Sequence, residues 1–126
     1  MKFSQYLFNF LMGYFVYGFI EIMCRSYTHW TMCLTGGLVM TILYIINSNK
    51  TMTLIKSCAI GAAIITSIEF LVGVFDNIIM DWHVWDYSDR PFNVMGQICP
   101  LYSTLWFLLC IPAFFLSRII YKRFNQ

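Results

Sequence analysis

The chain is poor in charge: only 11% of its 126 residues are Asp, Glu, Lys or Arg, against about 25% in a soluble globular domain. It is also 60% hydrophobic, more than a soluble chain this short can hide in one core. A water-soluble domain is thereby excluded, and lipid becomes the solvent the composition fits. The net charge of +2 comes without a basic run or a basic-aromatic stripe, which excludes nucleic acid as a partner. The cysteines (Cys24, Cys33, Cys58, Cys99 and Cys110) stand singly. They form no C-x-x-C pair, and neither His29 nor His83 falls at a known zinc spacing. No metal and no cofactor are expected, and the cysteines read mainly as small packing residues. A disulfide among Cys24, Cys33 and Cys99 stays open. Nothing matches the phosphate-binding pattern G-x-x-x-x-G-K-[ST]. No nucleophile stands with a base either, so no catalytic residue is assigned and the chain is not expected to be an enzyme. The apolar run after Lys2 is followed by no small-x-small cleavage site and reads as a retained span.

Long apolar runs are what the sequence does have. About 20 helical residues cross a hydrocarbon core, and four stretches qualify: residues 5–24, 30–46, 54–80 and 101–121. The expected fold is all-α, a single transmembrane domain over residues 1–126 built as a bundle of about four helices. The longest polar stretch, residues 81–100, is expected to form a structured outer loop between helices three and four. Four spans put Lys2, Lys50, Lys56, Arg118, Lys122 and Arg123 on one side, and only Arg25 and Arg90 on the other. Basic residues favour the cytoplasmic side of short loops. The expected location is therefore the cell (inner, cytoplasmic) membrane, multi-pass, with both termini cytoplasmic and the lipid bilayer as the first partner.

Acids inside a membrane are costly and mark sites. At 100° per residue Ala62, Thr66, Glu69, Gly73 and Asp76 make one stripe on the third span, with Asn77 at its edge. The first span carries a matching face of Tyr14, Tyr17, Gly18, Glu21 and Arg25. Glu21 and Arg25 are one turn apart, and Arg25 is also within reach of Glu69 or Asp76 across the bundle. A pairing of this kind can line a ligand site or merely lock helices together. In the outer loop Asp86, Ser88, Asp89 and Asn93 can bond nearby backbone amides and Pro91 stiffens the turn after Arg90, so the segment from Trp85 to Asn93 is expected to cap the bundle mouth, with His29 and Trp30 on its rim. The candidate ligand-binding residues are Glu21, Arg25, His29, Trp30, Glu69, Asp76, Asn77, Trp85, Asp86, Arg90 and Asn93.

Several strings are similar to a known family. They are Val84-Trp85-Asp86-Tyr87-Ser88, then Pro91-Phe92-Asn93, then Gly96-Gln97-Ile98-Cys99. Upstream stand Ser26-Tyr27-Thr28-His29-Trp30-Thr31-Met32 with Gly36-Gly37, and Thr66, Glu69-Phe70, Gly73 and Asn77 on the third span. Together they resemble the putative ABC-transporter type IV family of small multi-spanning bacterial membrane proteins, whose members are named ABC transporter permeases. Pro100 departs from the pattern, standing where an apolar residue such as leucine is expected. The resemblance implies a permease or membrane component of a transport system, energised by a separate ATPase subunit, with the polar residues above around an outward-facing pocket. A cationic or amphiphilic ligand would suit its acidic excess. The rival reading is a structural or regulatory membrane subunit, homo-oligomeric and without transport activity. A holin-like permeabilising protein is a third, disfavoured by the ordered aromatic loop.

Overall fold

A computed structural model describes residues 3–26 and 28–125, the side chain of Cys24 excepted. Expectations that rest on Lys2, Tyr27 or the Cys24 thiol lie outside the described residues. The helices are α1 (Phe3–Arg25), α2 (Trp30–Asn47), α3 (Leu54–Gly73) and α4 (Pro100–Phe124). All four are long and apolar enough to cross a membrane. The only β pairing among the described residues is an isolated bridge between Val94 and Ile98 in the loop. The 18 residues of α2 rise about 27 Å at 1.5 Å each, slightly less than a hydrocarbon core of about 30 Å.

Local chemistry sets the helix starts. His29 caps α2 by accepting from the Thr31 N–H, and Thr53 caps α3 by accepting from the Lys56 N–H. Pro100 opens α4, at the one helical position where its missing N–H is no loss. The proline therefore starts α4 instead of breaking it.

Within the bundle α2 is central, contacting α1, α3 and α4, while α3 packs on α4. The α1–α2 contact is backbone-close at Gly13, Gly36 and Gly37: a Cβ on Gly13 would lie 2.4 Å from the Gly36 carbonyl oxygen. Small residues allow such an approach where lipid supplies no hydrophobic drive. At the end holding the chain termini, buried polar groups stitch the helices together. Tyr44 donates to Gln5 at 2.5 Å, Ser57 to Asn47 at 2.5 Å and Asn47 to Ser117 at 3.4 Å. Cys33, Cys58, Cys99 and Cys110 are free and buried.

The third span departs from the expected continuous α-helix. After Gly73 it widens into a π-helical segment, Val74–Ile79, closed by Met80 N–H donating to the Phe75 carbonyl at 2.9 Å. The buried line of the preceding α-helix runs Ser57, Cys58, Gly61, Ile65, Glu69 and Gly73, one step off the expected line at Ala62 and Thr66. The wider turn also changes the direction in which Asp76 leaves the helix, and it meets α2.

Residues 80–99 fold back onto the bundle. Asn77 Oδ1 accepts from the Val84 N–H at 2.6 Å, and Asn77 Nδ2 donates to Gln97 Oε1 at 2.8 Å. The Trp85 indole donates to the Gln97 carbonyl at 3.0 Å. Gly73 leaves room for this docking, since a Cβ there would lie 2.6 Å from Gln97 Oε1 and 2.8 Å from the Trp85 ring. Gly96, at φ +74°, closes the loop beside Asp86 Oδ1, a conformation glycine adopts without strain.

Candidate functional site

α1 and α4 meet edge-to-face through Phe8 and Phe124 at the end with the termini, and two adjoining cavities are lined by both helices. The deeper chamber, of about 320 Å³, is lined by Val16, Val39, Met40, Leu43, Ala113 and Leu116, with Glu69 at its side. The vestibule, of about 800 Å³, sits towards the loop and is lined by Glu21 and Arg25 of α1, Asp86, Tyr87, Asp89 and Arg90 of the loop, and Tyr102 of α4. Tyr17, Met32, Trp85, Trp106 and Pro112 border both, so the two spaces share a wall. Ligand pockets typically hold about 300–1,000 Å³.

Glu69 is only 5% exposed and both of its oxygens are occupied. Oε1 accepts from the Trp106 indole at 3.2 Å and Oε2 from the Tyr87 hydroxyl at 3.0 Å. Each carboxyl oxygen thus meets one donor. Neither donor is charged, and Glu69 belongs to neither ion pair found among the described residues. Burial first, and the neighbouring Glu69 second, push the Tyr87 phenol well above its ordinary range, so Tyr87 remains a donor. Its ring stacks on Tyr102 at 4.5 Å, and the Arg90 guanidinium lies 5.9 Å from the Tyr102 centroid. Aromatic faces thus surround the approach to one buried acid.

Arg25 pairs with Glu21 at 3.3 Å and donates to the Val84 carbonyl. The pair ties the end of α1 to the loop. Asp86 accepts from the Ser88 N–H at 2.9 Å, and the Ser88 side chain and backbone hold its carboxyl below the usual range.

The expected single pocket is divided in the structure. Glu21, Arg25, Glu69, Trp85, Asp86 and Arg90 line the cavities, whereas His29, Trp30, Asp76, Asn77 and Asn93 do not. Asn77 and Asn93 are loop scaffolding: Asn93 donates to the Ser88 and Arg90 carbonyls and accepts from the Gly96 N–H. His29 and Trp30 stack with each other and with Trp82 away from the cavities. Asp76 faces Thr31 of α2, whose hydroxyl lies 2.5 Å from its Oδ2, at the π-helical turn beyond the Glu69 line. Tyr17, Tyr87, Tyr102 and Trp106 were not among the sequence candidates, though they wall the site. Their signal was aromatic residues at span ends, which serve equally well as interface anchors. Among the described residues no three His, Cys, Asp or Glu side chains are placed to hold a metal.

The model of the family described as "Putative ABC-transporter type IV" matches residues 2–126. The chain belongs to this family. No curated protein and no solved structure matches it. Membership and four apolar helices fit a multi-pass membrane protein of a transport system. In this member of the family, the strings that carried the resemblance mostly build the loop: Trp85, Gly96 and Gln97 dock and close it. Gly36 and Gly37 set the α1–α2 approach. Tyr87 and Glu69 are the matching residues that meet inside the bundle.

Proposed function

We propose that this protein is the permease component of a transport system, a binding and translocating subunit rather than an enzyme, which takes its ligand through the vestibule. The observation that carries this reading is the apolar chamber, with Glu69 at its side, sharing a wall of Tyr17, Trp85 and Trp106 with the vestibule. Lys50, Lys56, Arg118, Lys122 and Arg123 lie at the end with the termini, against Arg25 and Arg90 at the loop end. The bias turns the loop and vestibule outward and both termini to the cytoplasm. Glu21, Glu69, Asp86 and Asp89 exceed Arg25 and Arg90 around the cavities, and the walls are aromatic. Both features favour a cationic head group, and the apolar chamber accepts the chain of an amphiphile. Energy would come from a separate ATPase subunit.

Single-cysteine labelling tests the reading. Leu105 lines the vestibule; Leu105→Cys, in a background carrying Cys24→Ser, is expected to react with an impermeant maleimide added outside intact cells. Dodecyltrimethylammonium is expected to slow that labelling. Reaction only after permeabilisation would reverse the orientation, and labelling indifferent to the amphiphile would remove the ligand site. The rival structural reading draws on the Asn47–Ser57–Ser117 network, which joins helices and touches neither cavity.

A further inference from the structure

The outer loop ends in an apolar tip outside both cavities. Within residues 91–95, Phe92 is 87% exposed, Met95 62% and Val94 47%. Asn93, between them, is turned the other way. Its Nδ2 donates to the Ser88 and Arg90 carbonyls, and its Oδ1 accepts from the Gly96 N–H. Gln97 Nε2 adds a bond to the Met95 carbonyl at 2.8 Å. Phe92 and Met95 sit at φ 58° and 55°, a region that bulky side chains rarely enter. The network thus fixes a backbone that keeps the polar side chain inward and holds three apolar side chains outward.

The height of the tip follows from α4. Val94 N–H donates to the Ile98 carbonyl at 2.9 Å, two residues before Pro100 opens the helix. On the other flank the Arg90 guanidinium lies 5.9 Å from the Tyr102 ring centroid, in the first turn of α4. Phe92 is two residues from each flank, a reach of about 7 Å. Arg118 marks the opposite edge of the bundle, where it donates to the Met52 carbonyl in the connection between α2 and α3. The helix from Pro100 to Arg118 rises about 27 Å, close to the thickness of a hydrocarbon core of about 30 Å. α4 therefore begins at the edge of that core. The tip falls in the head-group layer beyond it, about 5–8 Å deep on each side.

We infer that Phe92, Val94 and Met95 insert into the lipid head-group layer and anchor the outer loop to the membrane. Apolar side chains a few ångströms deep in that layer are the chemistry of interfacial anchoring, whereas in water the same tip would be a site of unwanted association. A second copy or a soluble protein fits less well. A stable protein interface buries about 800 Å² on each partner, and three side chains fall well short of that. Asp89 and Arg90 line the vestibule immediately before the tip, so the anchor holds that rim at the level of the head groups. The placement needs neither a ligand nor a particular orientation across the membrane, and it stands independently of the permease reading.

Fluorescence in phosphatidylcholine nanodiscs holding one copy tests the anchor. Phe92→Cys, in a background carrying Cys24→Ser, is labelled with an environment-sensitive nitrobenzoxadiazole. The label is expected to resist iodide added to the water. A nitroxide on the head group or upper acyl chain should quench it several-fold more than one near the chain end. Because the label replaces the ring, a second readout leaves the chain unaltered. The carbon-13 methyl of Met95, identified by its loss in Met95→Leu, is expected to cross-relax with lipid glycerol and acyl protons. A label open to iodide, with a Met95 methyl that exchanges magnetisation with water alone, overturns the anchor. Shielding that arises only when two copies share a nanodisc, without quenching from lipid, assigns the tip to a contact between copies and overturns it as well.

Discussion

Glu69 and Tyr87 come from positions 18 residues apart and meet at 3.0 Å in the interior. Tyr87→Phe removes one of two donors to a buried acid. The expected loss is about 1.5–3 kcal/mol, the range for hydrogen bonds to charged groups, read as a lower midpoint of thermal unfolding in nanodiscs. Because folding raises the Tyr87 phenol, its stabilising share is complete at neutral pH and falls away as pH rises beyond the ordinary tyrosine value of about 10. The alkaline destabilisation should therefore be smaller in Tyr87→Phe. Asp86 runs the opposite way. Its carboxyl is held below the ordinary range, so its contribution is present at neutral pH and is lost on acidification through the folded value. Tryptophan fluorescence against pH should show an acid transition of the loop that Asp86→Asn flattens.

The helices depend on contacts that tolerate little added volume. On Gly36 a Cβ would fall 2.5 Å from the Tyr17 Cβ and 2.8 Å from the Gly13 carbonyl. Gly36→Val should separate α1 from α2 at a cost of about 1–3 kcal/mol, seen as a lower unfolding midpoint. Gly18→Ala, facing only the movable Cys33 thiol, should cost less. At the other end of the bundle, Asn47→Ala strands the Ser57 hydroxyl, a loss of about 1–3 kcal/mol that leaves the vestibule intact. The four spans were legible in the sequence because each is a long apolar run, and Glu69 because a carboxylate breaks such a run. The division of the expected pocket was not legible. A 3.6-residue period places Glu69 and Asp76 on one stripe, and nothing in the residues 74–79 announces a wider turn. Gln5 and Asn9 also passed unremarked, since polar residues near a span end read as interface although both are buried here. The folding back of Tyr87 depends on Gly73, Gln97 and Asn77 acting together across the loop, which spacing alone does not reveal.

Seen whole, the molecule is stitched by uncharged polar groups at the end with the termini and opens into a polar, aromatic vestibule at the other. The apolar chamber beneath offers an alkyl chain no advantage over lipid. Selectivity in the proposed role must therefore come from the head group at Glu69, Tyr17, Tyr87, Tyr102 and Trp106. The most direct measurement is equilibrium binding to the protein in nanodiscs of three dodecyl amphiphiles, with trimethylammonium, neutral and sulfate heads, corrected for partition into empty nanodiscs. Saturable binding of the ammonium compound alone is expected, weakened about tenfold or more by Glu69→Gln, a loss of about 1.4 kcal/mol. Equal binding of all three heads, or an ammonium affinity unmoved by Glu69→Gln, would contradict the account.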